Sequence, residues 1–475
     1  MNKSDIVILA FFFVSLGLGI LTLLPANTVK ETTKNQTELK VSKLKLLNVT
    51  IAKNNYFSIN GVAVNELERK GEVTPILFKV YNSSKGTVYI DTDSYKEISF
   101  QKSIAIAKEF VKYFVRTNLD NKDILIKLKV DSPFVAGESA GLPLTLGLIF
   151  AAKGYVPQNL DKYVFTGVIM PFGIIGEVGG IDLKYLAATQ KGKTLVHGQS
   201  TFLGGLYYTD VLSLYRDLFG IELIEKKPIK IPRWYLDITK QLADDLCKKA
   251  IEHGFKDSKE YKVYEKAYKN KDYYAAASLC FKYLYDNVPI DTDVYSLILE
   301  TRKELNDAIK KAKTLYDAEA IGAARERLRI VIELYNKYLD TGNKEFLYKA
   351  YWRLQTVKGW LKFVGNTTGI KNYCPKEVVN EINKIYSAFI GETVEIPNSI
   401  DCYYLAKEYI SNLHYRLFSY PSNVFALIKI APYYFDRFDL VGYSYYQLSK
   451  YLNEDKLLYI IKAIDFSHNY LTNNS

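Results

Sequence analysis

Residues 131–188 read DSPFVAGESAGLPLTLGLIFAAKGYVPQNLDKYVFTGVIMPFGIIGEVGGIDLKYLAA and are the most informative part of the sequence. The segment before it, Asp123–Val130, alternates apolar and polar side chains and predicts a strand. A proline and Gly137 then indicate a loop. From Ser139 a long apolar run predicts a buried helix that ends near Gly154. Ser139 therefore stands where a loop becomes a helix.

The position of Ser139 favours a nucleophile. The start of a helix carries free backbone N–H groups and partial positive charge, which can stabilise the oxyanion formed when a serine attacks a carbonyl. The backbone of Gly137, Glu138 and Ala140 is the predicted source of those donors, and the small neighbours let a substrate approach. The alternative is common, because a serine that opens a helix is usually an N-cap.

Lys184 is the candidate general base. It lies in a short helical pattern that follows Gly179-Gly180, among apolar neighbours that include Leu183 and Leu186. A serine hydroxyl needs a base, and a lysine can be that base where burial lowers its pKa towards neutrality. A lysine on an amphipathic helix is more often a solvated surface charge, so spacing alone does not decide between the two interpretations.

The segment resembles the proteolytic domain of the Lon proteases, the Ser-Lys peptidase family. The resemblance rests on several motifs in the family's order: Gly137-Glu138-Ser139-Ala140-Gly141, Thr166-Gly167, Gly179-Gly180, Lys184 and Leu186-Ala187-Ala188. It covers roughly residues 45 to 225. It implies that Ser139 is the nucleophile, that Lys184 is the base and that Thr166 orients the lysine.

Two residues depart from the family's pattern. Glu138 replaces the proline commonly found just before the serine, and Val168 replaces the glutamate that often follows the T-G pair. The first departure could change how the loop sits and what it accepts. Neither departure removes the predicted dyad of Ser139 and Lys184.

Composition argues against a nucleic-acid-binding protein and against a metalloprotein. The chain has 475 residues, 48% of them hydrophobic, and a net charge of +11. Its lysines are spread along the sequence without an arginine-rich run, so we predict no nucleic-acid partner. The four cysteines form no C-x-x-C pair and no H-E-x-x-H motif occurs, so we predict no metal site and no cofactor. The even cysteine count permits two disulfides without establishing any.

The N-terminal residues predict a membrane segment. Ile6–Leu24 is uncharged, mostly apolar and long enough as a helix to cross a bilayer core. We interpret residues 1–26 as an uncleaved single-pass anchor, with a cleaved signal peptide as the alternative, and residues 27–44 as a polar tether. The lysines after the span favour a cytoplasmic location, whereas glycosylation sequons such as Asn48-Val49-Thr50 favour an extracytoplasmic one, which we predict.

The rest of the chain divides in two. Residues 45–227 are predicted to be an α+β Lon-type proteolytic domain, and residues 234–475 an all-α helical domain. The prolines and lysines of Glu225–Pro232 mark the boundary. Tyr261–Asn287 weakly resembles a tetratricopeptide hairpin, so the second domain is either a bundle or a short solenoid of that type. With the N-terminal transmembrane helix, this is the predicted fold class.

The predicted function follows from the dyad and from what the sequence lacks. Lon proteases usually carry an ATPase module, and the nearest lookalike to its phosphate loop, Ala187–Thr194, lacks the first glycine. We expect a membrane-anchored, ATP-independent serine endopeptidase that cuts unfolded or flexible protein segments. The alternative is a non-catalytic Lon-like scaffold whose helical domain binds protein partners. The resemblance also implies a homo-oligomer, such as a ring.

Overall fold

The computed structural model describes residues 48–50, 56–65, 68–83, 85–92, 95–96, 98–128, 134–135, 137–201, 203–371, 373–418 and 423–471. The predicted anchor (residues 1–26), the predicted tether (residues 27–44) and most of the loop predicted before Gly137 lie outside these residues.

Most strands belong to the N-terminal part of the described chain. They are β1 (Asn48–Thr50), β2 (Tyr56–Asn65), β3 (Lys70–Asn82), β4 (Val88–Thr92), β5 (Tyr95–Lys96), β6 (Lys122–Leu128), β7 (Phe134–Val135), β8 (Tyr155–Pro157), β9 (Tyr163–Phe165), β10 (Val168–Met170), β11 (Ile174–Gly176), β12 (Thr194–His197) and β13 (Leu206–Tyr207).

Seven of these strands form a mixed sheet in the order β13-β12-β9-β2-β3-β6-β4. Its centre is the antiparallel hairpin of β2 and β3, which pairs from Tyr56 with Lys79 to Asn65 with Lys70. β3 continues antiparallel to β6, whereas β2, β9, β12 and β13 run parallel to one another. Alternate residues such as Ile59, Ile76 and Phe78 are buried, because successive side chains of a strand point to opposite faces.

Four helices accompany the sheet: α1 (Ile98–Glu109), α2 (Gly141–Lys153), α3 (Ile181–Gln190) and α4 (Val211–Phe219). α1 continues into a π-helical turn at Phe110–Phe114. α2 is buried along almost its whole length, ends at Gly154 in the left-handed conformation, and packs against β2 and β3. α3 packs against β2, β3 and β12. The turn that leads into α2 holds the predicted nucleophile, and α3 holds the predicted base.

The C-terminal part is mostly helical. Its helices are α5 (Arg233–Glu252), α6 (Tyr261–Lys269), α7 (Tyr273–Asn287), α8 (Val294–Lys311), α9 (Leu315–Thr341), α10 (Lys344–Leu361), α11 (Lys376–Ile390), α12 (Cys402–Leu417), α13 (Val424–Ile430), α14 (Leu440–Tyr451) and α15 (Lys456–Ser467). The disulfide Cys247–Cys280 joins α5 to α7, and Cys374–Cys402 joins the segment before α11 to the start of α12. These pairings are the ones that the sequence left open.

A continuous buried core crosses the predicted boundary between the two parts. His414 on α12 contacts Glu109 at the end of α1, with 2.6 Å between Nε2 and Oε1. Its other ring nitrogen contacts Asp465 on α15 at 2.9 Å. Tyr434 donates a hydrogen bond to the carbonyl of Phe172, and Arg116 forms an ion pair with Asp436. The sheet part and the helical part are therefore joined by buried polar contacts.

The structure corrects one element of the predicted fold class. No helix of the described residues is long and apolar enough to cross a membrane. The described chain is instead mixed α/β with a mostly helical C-terminal region. The predicted transmembrane helix, and the single-pass membrane location drawn from it, are therefore not supported.

Candidate active site

Ser139 lies in a single 3₁₀ turn, Glu138–Ala140, which leads directly into α2. The residue before the turn, Gly137, has φ of 95°, a conformation that favours glycine. A Cβ added to Gly137 would lie 3.9 Å from both the amide nitrogen and the Oγ of Ser139, and it would meet no closer described atom. Glycine therefore leaves room in front of the two Ser139 atoms that an approaching carbonyl would meet.

Backbone hydrogen bonds with Gly167, which follows Thr166, hold the Ser139 turn in place. Gly167 N donates to the Ser139 carbonyl at 2.9 Å, and Leu142 N donates to the Gly167 carbonyl at 2.9 Å. Thr166 is fully buried, and its own N–H donates to the carbonyl of Val196 on β12. The main chain thus ties the start of α2 to the end of β9, and through it to the sheet.

Lys184 lies in the first turn of α3. The helix begins after Gly180, which has φ of 62°, and Lys184 N donates to the Gly180 carbonyl at 3.0 Å. The side chain points inward and is only 3% exposed. The sequence could not distinguish a buried base from a surface charge at this position, and the structure places a buried amine there.

Burial lowers the pKa of Lys184 from its ordinary value of 10.5 to about 8. Removing a cation from water penalises the charged form, and no carboxylate of the described residues forms an ion pair with Lys184 to offset this penalty. At neutral pH a minor but usable fraction of the amine is therefore unprotonated and can accept a proton.

Thr166 connects the lysine to the serine turn. Lys184 Nζ donates to Thr166 Oγ1 at 3.4 Å, and Thr166 Oγ1 donates to the Ser139 carbonyl at 3.4 Å. The three residues are therefore brought together. The hydrogen bonds of the described residues include none between Ser139 Oγ and Lys184 Nζ, and catalytic hydrogen bonds often tighten only when substrate binds. The chemical roles of the three residues remain predictions.

Two residues that sequence reasoning missed help to build this site. Lys102 on α1 pairs with Glu138, with 3.0 Å between Nζ and Oε1, so the unusual glutamate is held towards α1. Gly71 on β3 lies against α3, where an added Cβ would be 2.3 Å from the Leu183 carbonyl oxygen. The absence of a side chain at Gly71 lets α3 approach β3 closely at Leu183, the residue before Lys184. Neither contact has a signal in the local sequence.

The other departure, Val168, is buried in β10 and pairs with Gly176 of β11. The described part of the chain contains no group of three or more His, Cys, Asp or Glu side chains that could hold a metal ion.

Comparison with known proteins adds no assignment to this geometry. No protein-family model matches the chain, and no curated protein matches its sequence. The resemblance to the Lon proteolytic domain therefore rests on the motifs alone.

Proposed function

We propose that the protein is an ATP-independent serine endopeptidase of the Ser-Lys type. The observation that carries the proposal is the environment of Lys184: an amine that is 3% exposed, has a pKa lowered to about 8, and lies hydrogen-bonded to Thr166 beside the Ser139 turn. A surface lysine has neither the burial nor the lowered pKa that a general base at neutral pH requires.

The reaction proceeds in two halves. Ser139 Oγ attacks the carbonyl carbon of the peptide bond while its proton passes to the neutral Lys184 Nζ. Backbone N–H groups at the start of α2 stabilise the oxyanion. The intermediate then collapses, the C–N bond breaks, and Lys184 returns the proton to the leaving amine. Water, deprotonated by Lys184, attacks the Ser139 ester and releases the carboxylic acid together with the serine hydroxyl.

The substrate class follows from the absence of a recognised phosphate-binding loop in these 475 residues. Without energy from ATP, the site acts on peptide chains that already present an extended segment, such as unfolded proteins or a flexible loop. The resemblance to the Lon family also suggests assembly of several copies into a ring, and this remains part of the proposal.

The proposal is tested by incubating the purified chain with unfolded casein in the absence of ATP. We expect cleavage by the parent, and none by Ser139→Ala or Lys184→Ala. Lys191→Ala is the matched control, because Lys191 is an exposed lysine at the end of the same helix. Cleavage that persists in Ser139→Ala would overturn the proposal.

A second candidate is a non-catalytic Lon-like scaffold whose helical part binds protein partners. The lack of a direct hydrogen bond between Ser139 Oγ and Lys184 Nζ in the described structure favours it. Casein cleavage separates the candidates, since a scaffold cuts nothing even when the dyad is intact.

A further inference from the structure

The helical part contains a cavity of about 1310 Å³, lined by residues of α5, α6, α7, α9, α10, α14 and α15. Ligand pockets in proteins commonly have volumes of about 300–1,000 Å³, so this one is large enough for an extended peptide of several residues. None of its lining residues belongs to the Ser139 site.

Two arginines dominate the inner wall of the cavity. Arg327 on α9 stacks on Trp360, with 5.0 Å between its guanidinium carbon and the ring centre. Arg353 on α10 stacks on Phe281 and Tyr285 of α7, at 4.8 and 5.2 Å. The aromatic rings hold both guanidinium planes in place, so the remaining N–H groups are pre-positioned for a planar anion.

Arg353 lacks an anionic partner. No carboxylate of the described residues forms an ion pair with it, and its Nε is buried without a hydrogen-bond partner. Burial and the nearby charge of Arg327 both lower the pKa of Arg353 from its ordinary value. A buried guanidinium beside a like charge is costly unless an anion joins it.

Arg327 Nη1 donates to the carbonyl of Ala323 at 2.9 Å, and the carboxylate that it faces is shared. Its Nη1 lies 3.4 Å from Glu326 Oε2, but the same carboxylate accepts a hydrogen bond from Tyr404 and faces Lys462 at 3.9 Å. Lys462 in turn pairs with Glu408 at 2.7 Å. Of the three cations Arg327, Arg353 and Lys462, only Arg353 forms no ion pair with a carboxylate of the described residues.

Charged side chains of both signs line the rim of the cavity. Lys248, Lys249 and Lys259 are exposed along it. Glu252, Asp286 and Asp455 are exposed along it as well, while Asp245 pairs with Lys362 at 2.9 Å and Glu454 pairs with Lys282 at 2.5 Å. Selectivity for an anionic ligand therefore comes from the inner wall, which offers two guanidinium groups and apolar ring surface.

We propose that this cavity is a binding site for acidic peptide segments, in which a carboxylate pairs with Arg353 and Arg327 while apolar side chains pack against the aromatic wall. A peptide is favoured over a small anion because the cavity is large, partly aromatic and lined by several helices. Its use in gathering substrate for Ser139 rests on the proposed peptidase function, whereas the binding itself does not.

The test uses the full chain carrying Ser139→Ala, so that bound peptide is not cut. The probe is a fluorescein-labelled octapeptide with two glutamates among leucine and phenylalanine residues, and its partner has glutamine in place of each glutamate. We expect anisotropy to report binding of the acidic peptide at least about tenfold tighter than binding of the glutamine version. Equal affinity for the two peptides, or binding of neither, would overturn the proposal without any cavity variant.

Cavity variants then locate the site. Arg353→Gln and Arg327→Gln should each weaken the acidic peptide by about tenfold or more. The matched control, Arg329→Gln, removes an exposed arginine of the same helix as Arg327 that pairs only with its neighbour Glu333, and it should leave affinity unchanged. Unchanged affinity in Arg353→Gln would place the peptide elsewhere and refute the site.

A competition arm addresses the other class of polyanion. A mixed-sequence single-stranded oligonucleotide should not displace the acidic peptide at equal concentration, and displacement that depends on Arg353 would assign the cavity to nucleic acid instead. Casein cleavage by the parent is measured separately. If casein is cut but the acidic peptide is not preferred, only the binding-site proposal is refuted. If the acidic peptide binds but casein is not cut, only the proposed peptidase function is refuted.

Discussion

Raising the pH from 7 to 9 should increase the rate of peptide cleavage about tenfold. The reaction requires an unprotonated Lys184, and burial lowers the pKa of this residue to about 8. A group with that pKa is about one-eleventh neutral at pH 7 and about ten-elevenths neutral at pH 9. At an unshifted 10.5, less than about one lysine in a thousand would be neutral at pH 7.

The assay is kcat/KM for a fluorogenic unstructured peptide that lacks groups titrating between pH 6 and 10. The pH dependence of kcat/KM reports the pKa values of the free enzyme. Circular dichroism at each pH confirms that the fold is unchanged. We expect a single ascending limb with a midpoint near 8. A flat profile, or a midpoint near the ordinary lysine value, would refute the role of Lys184 as a buried base.

Four further results should follow. Lys184→Met should stabilise the fold at pH 7 by about 3 kcal/mol in urea unfolding. That gain should vanish as the pH rises from 8 to 10.5, because the native lysine is neutral above about 8 and the unfolded chain's lysine becomes neutral near 10.5. Thr166→Val should lower kcat about tenfold while Thr166→Ser retains it, since only the serine keeps the hydroxyl that contacts the lysine. Burial lowers the pKa of His414, but two adjacent carboxylates outweigh it and raise the pKa to about 10. The stabilising charge of His414 is therefore present below pH 6.5 and lost towards pH 10. His414→Gln should therefore destabilise the fold by about 3–5 kcal/mol at pH 6 and much less at pH 10. Gly71→Ala should cost about 1–3 kcal/mol and reduce cleavage, because its methyl group would displace the helix that carries the base, whereas Gly179→Ala projects into open space and should do neither.

Each of these results has an outcome that contradicts it. A Lys184→Met variant that is no more stable than the parent at pH 7 would mean that the native amine is solvated. Equal activity of the valine and serine variants at Thr166 would remove its hydroxyl from the mechanism. If His414→Gln costs the same stability at pH 6 and pH 10, His414 is neutral between its two carboxylates. An active, fully stable Gly71→Ala would show that α3 has room to move.

Sequence patterns located the elements that hold the candidate residues. The strand before the serine loop and the helix after it lie where alternation and the apolar run predict them. These elements are short-range consequences of side-chain periodicity, which a single sequence contains.

Other elements were missed for identifiable reasons. β2 was not predicted, because Asn60 and Gly61 interrupt its alternation and its pairing with β3 supplies the missing preference. Leu305 and Tyr316 recur at helical spacing, which predicts one helix, yet α8 ends at Lys311 and α9 begins after Thr314. Thr314 and Asp317 form a capping box at the start of α9. Such a box marks a helix start, and the apolar spacing across it suggested a continuous helix instead.

At the candidate site, too, the sequence identified some features and only the tertiary structure showed the others. The motifs identified Ser139, Thr166 and Lys184, but the burial that lowers the pKa of Lys184 depends on strands and helices distant in sequence. The pairing of Lys102 with Glu138 and the contact of Gly71 with α3 are likewise tertiary. The cavity of the helical part combines residues of seven helices, so no local pattern could have predicted it.

The central claim is that Lys184 activates Ser139 as a nucleophile. The most direct measurement is covalent labelling at pH 8 with a fluorophosphonate, followed by peptide mapping by mass spectrometry. The account predicts one adduct, on Ser139 of the parent, that is absent in Ser139→Ala and strongly reduced in Lys184→Met. A folded parent that carries no adduct on Ser139, or a Lys184→Met variant that labels as fast as the parent, would contradict it.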